Sequence, residues 1–237
     1  MPPPLAVAQS LREQVAWACR ILADEGYADL TLGHVSARAP GSEAVLIKRK
    51  GVALGEVGPE DVVEVDGAIA ELHLETVLHT AIYERRPDVG AVVHGHPPYT
   101  TAFSATDADL ELLTHDAVLF EKGIAFFDET PELITEDEQG RAVAEALGDR
   151  RVVLLRNHGV LVADRDVRWA VLSAVTLERA VRLQSIASTL GGLRPISRQW
   201  AERMHAEKYQ DRFVEEYWAA WIRKLQRCGA ATGMPST

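Results

Sequence analysis

Hydrophobic positions recur at helical spacing across residues 8–26, with Leu11, Val15, Ala18, Cys19 and Leu22 on one stripe and Gly26 as the stop. That pattern predicts a first helix. The period then shortens, and residues 30–39 and 44–48 read as two strands around a turn at Pro40-Gly41-Ser42. Val62–Val65 reads as another strand, ended by the hairpin signal Asp66-Gly67. Helical spacing returns from about 75 to 86. The run Val89-Gly90-Ala91-Val92-Val93 is short, apolar, rich in β-branched residues and closed by Pro97-Pro98, so 89–94 predicts a buried strand. Residues 105–130 are irregular with strand-like fragments, and 135–147 predicts a helix stopped by Gly148. Arg151–Leu155 and Val160–Ala163 read as an outgoing and a returning strand around the turn Arg156-Asn157-His158-Gly159. Two long helical patterns, 165–190 and 197–226, close the chain around a break at Gly191-Gly192-Leu193-Arg194-Pro195.

No repeat and no linker interrupts this order. The expectation is one α/β domain over residues 1–237, a mixed sheet with helices on both faces, with 229–237 as a mobile tail. A chain of 237 residues with 47% apolar content is long enough for a full core. The net charge of −10 argues against general nucleic-acid binding and against an anionic membrane surface. Cys19 and Cys228 make no disulfide framework, which fits a reducing compartment. The N-terminus lacks a basic, apolar leader pattern, and no apolar stretch reaches 18 residues, so a cytoplasmic protein is expected.

Histidine placement changes the picture most. Of eight histidines, four (His73, His79, His94 and His96) lie between 73 and 96. Side chains alternate along a strand, so His94 and His96 leave the same face of a strand end. Glu75 stands upstream at the start of a helical pattern, and His158 stands in a tight turn downstream. Three histidines and a carboxylate make an open site for one divalent ion, with Zn, Mn, Fe and Co all compatible with imidazole ligands. His79 follows Glu75 by four residues and shares its helix face, where a structural hydrogen-bonding role is the favoured reading.

The stretch from Glu75 through His79, Ile82-Tyr83, Arg86-Pro87-Asp88-Val89 and Ala91-Val92-Val93 to His94 and His96 resembles the signature of the class II aldolase/adducin family. Gly33-His34-Val35-Ser36-Ala37-Arg38 resembles that family's early Gly-Asn-x-Ser-x-Arg motif, and Asn157-His158-Gly159 its late Asn-His-Gly turn. The resemblance runs from about residue 10 to 225. It implies a three-layer αβα fold with a mostly antiparallel sheet. It also implies metal ligands at His94, His96 and His158, an acid/base at Glu75, one divalent ion per subunit, and a homotetramer with sites near subunit interfaces. Aromatic residues of a neighbour's C-terminal region often complete such sites, although Tyr209, Tyr217, Trp218 and Trp221 read first as helix packing.

The departures from the pattern bear on substrate. The family's phosphate-binding serines before the glutamate are His73 and Leu74 here, its early asparagine is His34, and its Ser/Thr-Gly loop is Lys48-Arg49-Lys50-Gly51. Leucine cannot donate a hydrogen bond to phosphate, so a phosphorylated sugar is disfavoured. His34, Ser36, Lys48, Arg49 and His73 are instead read as contacts for a carboxylate or a planar ring. The expected function is a metal-dependent carbon–carbon lyase acting on a small carboxylate or hydroxy-carbonyl compound. Decarboxylation of a hydroxylated aromatic or heteroaromatic carboxylate leads, and aldol cleavage of a non-phosphorylated substrate is second. A non-haem iron oxygenase and an adducin-like non-catalytic module stay open as other classes.

Overall fold

Inward-facing apolar residues alternate between two cores, and this alternation builds the molecule. Along one central strand Ala91 and Val93 enter one core while Val92 enters the other. The computed structural model describes residues 10–39, 41–67 and 69–231. Its strands are β1 (His34–Arg38), β2 (Val45–Lys48), β3 (Val62–Glu64), β4 (Ala91–Gly95), β5 (Ala125–Phe127), β6 (Val152–Leu155) and β7 (Gly159–Asp164). They form one seven-stranded sheet in the order β3-β2-β1-β4-β7-β6-β5. Every neighbouring pair is antiparallel except β5 and β6.

Helices α1 (Leu11–Leu22) and α5 (Val167–Leu190) pack on one face; α2 (Val77–Arg85) and α4 (Asp137–Leu147) pack on the other. The result is the three-layer α/β arrangement with a mostly antiparallel sheet. Ser10 starts α1 with a reciprocal cap: its hydroxyl accepts from the Glu13 amide, and the Glu13 carboxylate accepts from the Ser10 amide. The remaining helices are α3 (Pro98–Ser104), α6 (Arg198–Lys208) and α7 (Asp211–Ala231).

Four local readings change. The hairpin expected at Asp66-Gly67 does not form: β3 is an edge strand followed by single 3₁₀ turns at Val65–Gly67 and Ile69–Glu71. Pro97-Pro98 ends β4 but also starts α3, because proline fits the first helical positions, where no amide partner is required. The long helix expected over 197–226 is two, α6 and α7, parted at Tyr209-Gln210. Tyr209 there leaves helical backbone geometry (ψ 77) and donates its hydroxyl to the Asp116 carbonyl at 2.7 Å. The helix α7 continues to Ala231, into the segment expected as a tail, while 232–237, like Pro40 of the first turn, lie outside the described residues.

Candidate metal centre

Sheet register brings the chemistry together. His34 on β1 pairs directly with His94 on β4, so both rings stand on the α2 side of the sheet, 4.9 Å apart between centroids. His94 also lies 4.9 Å from the His96 ring and 5.2 Å from the His158 ring. His158 reaches them because the turn before β7 places Asn157 in a left-handed conformation (φ 58). Two glycines permit this closeness. A Cβ at Gly159 would lie 2.6 Å from the Gly95 carbonyl oxygen and from His96 Cδ2, and one at Gly95 would lie 2.9 Å from the Tyr27 ring.

Ligand atoms of His94, His96 and His158 lie within 4.8 Å of one another. Glu75 turns into the same space from the 3₁₀ turn Leu74–Thr76. Its Oε1 accepts the Ile134 amide at 3.0 Å, which leaves Oε2 3.5 Å from both His94 Nε2 and His158 Nε2. Burial alone would raise the Glu75 carboxyl, but the His158 ring facing it acts the other way, and the net direction is below the usual carboxylate range.

The donor set fits a divalent cation. His94 Nδ1 lies 3.1 Å from the Val160 carbonyl, an acceptor, so Nδ1 carries the ring proton and Nε2 keeps its lone pair. That Nε2 is buried and has no hydrogen-bond partner among the described residues. A lone pair facing a carboxylate oxygen is repulsive unless a cation lies between them. Ligand atoms of a tetrahedral zinc site stand about 3.4 Å apart, close to the 3.5 Å that separates Glu75 Oε2 from His94 Nε2 and from His158 Nε2. His96 Nδ1 lies 3.0 Å from Asp29 Oδ2, the outer partner that fixes a ligating imidazole's orientation. Burial comes first among the effects that lower the His96 ring, so it is held neutral.

Asp29 carries no motif; only its position after the first helix could have pointed to it. Asp29→Ala is expected to weaken divalent-metal affinity about 10- to 100-fold with the fold retained. Chelator competition followed by circular dichroism checks this, and unchanged affinity would remove Asp29 from the account.

The expected substrate contacts divide. His73 lies against His34, with ring centroids 4.3 Å apart. Lys48 is fully buried, donates to the Thr31 carbonyl at 3.0 Å, and lies 3.4 Å from His73 Nε2. Burial lowers the Lys48 ammonium to about 8 and the His73 ring to about 4. At neutral pH, therefore, Lys48 is still largely charged and His73 is neutral, accepting at Nε2. His34 and His73 thus wall the cluster, with Lys48 one layer behind.

Arg49 is not brought to this wall: it turns away onto Asp61, with Nε at 2.8 Å from Oδ1. Ser36 does not face the cluster either, because its hydroxyl is spent on His79 Nδ1 and the Tyr83 hydroxyl in the layer behind His34. Arg38 is structural, donating to the carbonyls of Val89 and Arg86 and lying over the Tyr83 ring. Trp218 is buried in the α1/α5 core, and Trp221 donates to Glu25, so both pack within this chain.

The family of the chain follows from its similarity to known proteins. Residues 13–185 match the family described as Class II Aldolase and Adducin N-terminal domain, and the chain belongs to that family. It is 31% identical over 207 residues to 3,4-dihydroxyphthalate decarboxylase of Arthrobacter keyseri, covering 76% of this chain and 80% of that one. It is 33% identical over 177 residues to L-fuculose phosphate aldolase of Methanococcus maripaludis, covering 73% of this chain and 94% of that one. Among solved structures, an aldolase II superfamily protein from Pseudomonas syringae superposes with a TM-score of 0.81 at 28% identity, over 92% of this chain and 93% of that one. Among the described residues no helix is long and apolar enough to cross a membrane.

Proposed function

We propose that the protein is a divalent-metal-dependent carbon–carbon lyase whose leading reaction is decarboxylation of a hydroxylated aromatic or heteroaromatic carboxylate. The observation that carries this reading is the buried Lys48 ammonium. It makes no ion pair among the described residues and stands behind the His73–His34 wall beside the ligand cluster. A buried charge without a counter-ion is costly, and an anionic ligand supplies one. The imidazole wall suits a flat ring better than a sugar phosphate. The 3,4-dihydroxyphthalate decarboxylase relative points the same way.

His94, His96 and His158 would hold the ion, with Glu75 beside them. The ion, when bound, supplies Lewis acidity that draws charge from the substrate oxygens next to the reacting carbon. Glu75 Oε1 is pinned by the Ile134 amide, so proton transfer falls to Oε2. As an ionised carboxylate, Glu75 accepts the proton of the substrate hydroxyl and returns it to the ring carbon that loses CO₂. His34 and the field of Lys48 orient the substrate's carboxylate.

The second reading is aldol cleavage, favoured by the 33% identity to a fuculose phosphate aldolase. Both reactions leave an electron pair on the carbon whose bond is cleaved, so product identity separates them. Metal-loaded protein given hydroxyaryl carboxylates and, separately, L-fuculose phosphate is expected to release CO₂ from the first and no aldehyde from the second. Aldehyde release alone would reverse the order.

Lys48 also gives a stability prediction. Its folded pKa, about 8, lies below the ordinary 10.5, so the unfolded chain binds this proton more tightly. The cost to folding is full below pH 8 and fades as pH rises to 10.5. Its size is on the order of 3 kcal/mol. Lys48→Met is therefore expected to raise Tm at pH 7, with the gain shrinking between pH 8 and 10.5, while KM for an anionic substrate rises. Calorimetry across that range, alongside steady-state kinetics, checks both; a lower Tm at pH 7 would contradict the unpaired charge.

A further inference from the structure

Behind His34 lies a line of buried hydrogen bonds that the reaction above does not use. The Tyr83 hydroxyl is 2.8 Å from Ser36 Oγ, Ser36 Oγ is 2.6 Å from His79 Nδ1, and His79 Nε2 is 2.6 Å from His34 Nδ1. Ser36 and His79 are fully buried, and His34 and Tyr83 nearly so. The line runs from α2 through the first sheet layer to the ligand cluster. A ring nitrogen of His34 there lies within 4.8 Å of ligand atoms of Glu75 and His94. His34 Nδ1 is taken by His79, so Nε2 is the nitrogen left for the site.

Hydrogen counting gives this line a direction. Both rings are buried, bonded to each other and to a hydroxyl, and neither forms an ion pair with a carboxylate among the described residues, so each carries one proton. A ring with one proton donates through one nitrogen and accepts through the other. The two bonds made by His79 must then point the same way. If they point toward α2, Ser36 accepts from His79, and either the Ser36 proton or, where Ser36 donates to Tyr83, the phenol's own proton has no acceptor among the described residues. If the bonds point toward the site, Tyr83 donates to Ser36, Ser36 to His79 Nδ1, and His79 Nε2–H to His34 Nδ1. Every proton is then placed, and an unsatisfied buried hydroxyl is avoided.

We propose that His79, Ser36 and Tyr83 are positioning residues that fix His34 as the Nε2–H tautomer, so that His34 offers a hydrogen-bond donor to the substrate's anionic group and is not a metal ligand. The proposal chooses between two overlapping sets of ligand atoms, His94–His96–His158 and His34–Glu75–His94. A nitrogen that carries a proton cannot ligate, so the first set holds the ion. The substrate role rests on the lyase reading; the tautomer does not.

The test is ¹⁵N NMR of zinc-loaded, ¹⁵N-histidine-labelled protein without substrate, the rings being assigned with His34→Asn and His79→Asn. The expected result is a pyrrole-type Nε2 and a pyridine-type Nδ1 on both His34 and His79, with one tautomer in at least tenfold excess. A pyrrole-type Nδ1 on His34, or a zinc-shifted Nε2, overturns the proposal while leaving the lyase reading standing. The opposite failure is equally visible: the predicted tautomer in a protein that turns over no carboxylate sinks the reaction alone. Ser36→Ala is expected to give mixed tautomers and a severalfold higher KM with zinc content unchanged, and Ser36→Thr, which keeps the hydroxyl, to restore both. A single unchanged tautomer in Ser36→Ala would show that the relay does not set it.

Discussion

Glu75→Gln is expected to lower kcat by about 10²- to 10⁴-fold while leaving the ion bound. Gln keeps an oxygen for the Ile134 amide, so the side chain stays where Glu75 Oε1 is anchored at 3.0 Å. What disappears is the ionisable oxygen 3.5 Å from His94 Nε2 and His158 Nε2. An amide cannot take a proton from a hydroxyl and return it to carbon. Metal content and kcat measured on one preparation separate the roles. Full activity would show that Glu75 moves no proton, and loss of the ion would show that it is chiefly a ligand.

His94→Ala carries the second large effect. His94 is the hub of the cluster, with its ring near those of His34, His96 and His158 and its Nε2 buried without a partner. Removing it leaves two histidines for an ion that needs three protein donors, so metal content is expected to fall below about a tenth of an ion per chain, with turnover lost. His34→Asn is expected to keep its metal, because the relay gives His34 a donor N–H. Elemental analysis of both variants decides the ligand set: a fully loaded His94→Ala protein would refute it.

Much of this was legible in the chain because short-range patterns carry it. The apolar run before His94-Gly95-His96 marks a buried strand, and the alternation rule puts His94 on a definite face. Asn157-His158-Gly159 marks a tight turn, and the structure seats it against that strand end. The three histidines and Glu75 converge as their motifs imply. Other features depend on contacts distant in sequence. Asp29 meets His96 across 67 positions, and the Ile134 amide meets Glu75 across 59, through a backbone group no side-chain pattern can reveal.

Polar residues were harder to place than apolar ones. Lys48-Arg49-Lys50 reads as one basic loop, yet strand alternation sends Lys48 inward while Arg49 pairs with Asp61. Ser36 reads as a substrate contact, yet the structure spends its hydroxyl on His79, whose structural hydrogen-bonding role is the one its spacing favours. Asp66-Gly67 carries a hairpin signal, but among the described residues no returning strand pairs with the outer edge of β3. Pro98 shows a proline serving two ends at once, closing a strand and opening α3.

The proposed reaction is carbon–carbon cleavage that depends on the ion, with CO₂ as the product. Its most direct test is CO₂ release from a panel of hydroxyaryl carboxylates by metal-loaded protein, set against the same protein stripped of metal. CO₂ is expected from at least one carboxylate, lost on stripping and restored by a single divalent ion per chain. A folded protein with one ion per chain that releases no CO₂ from any of them would contradict it.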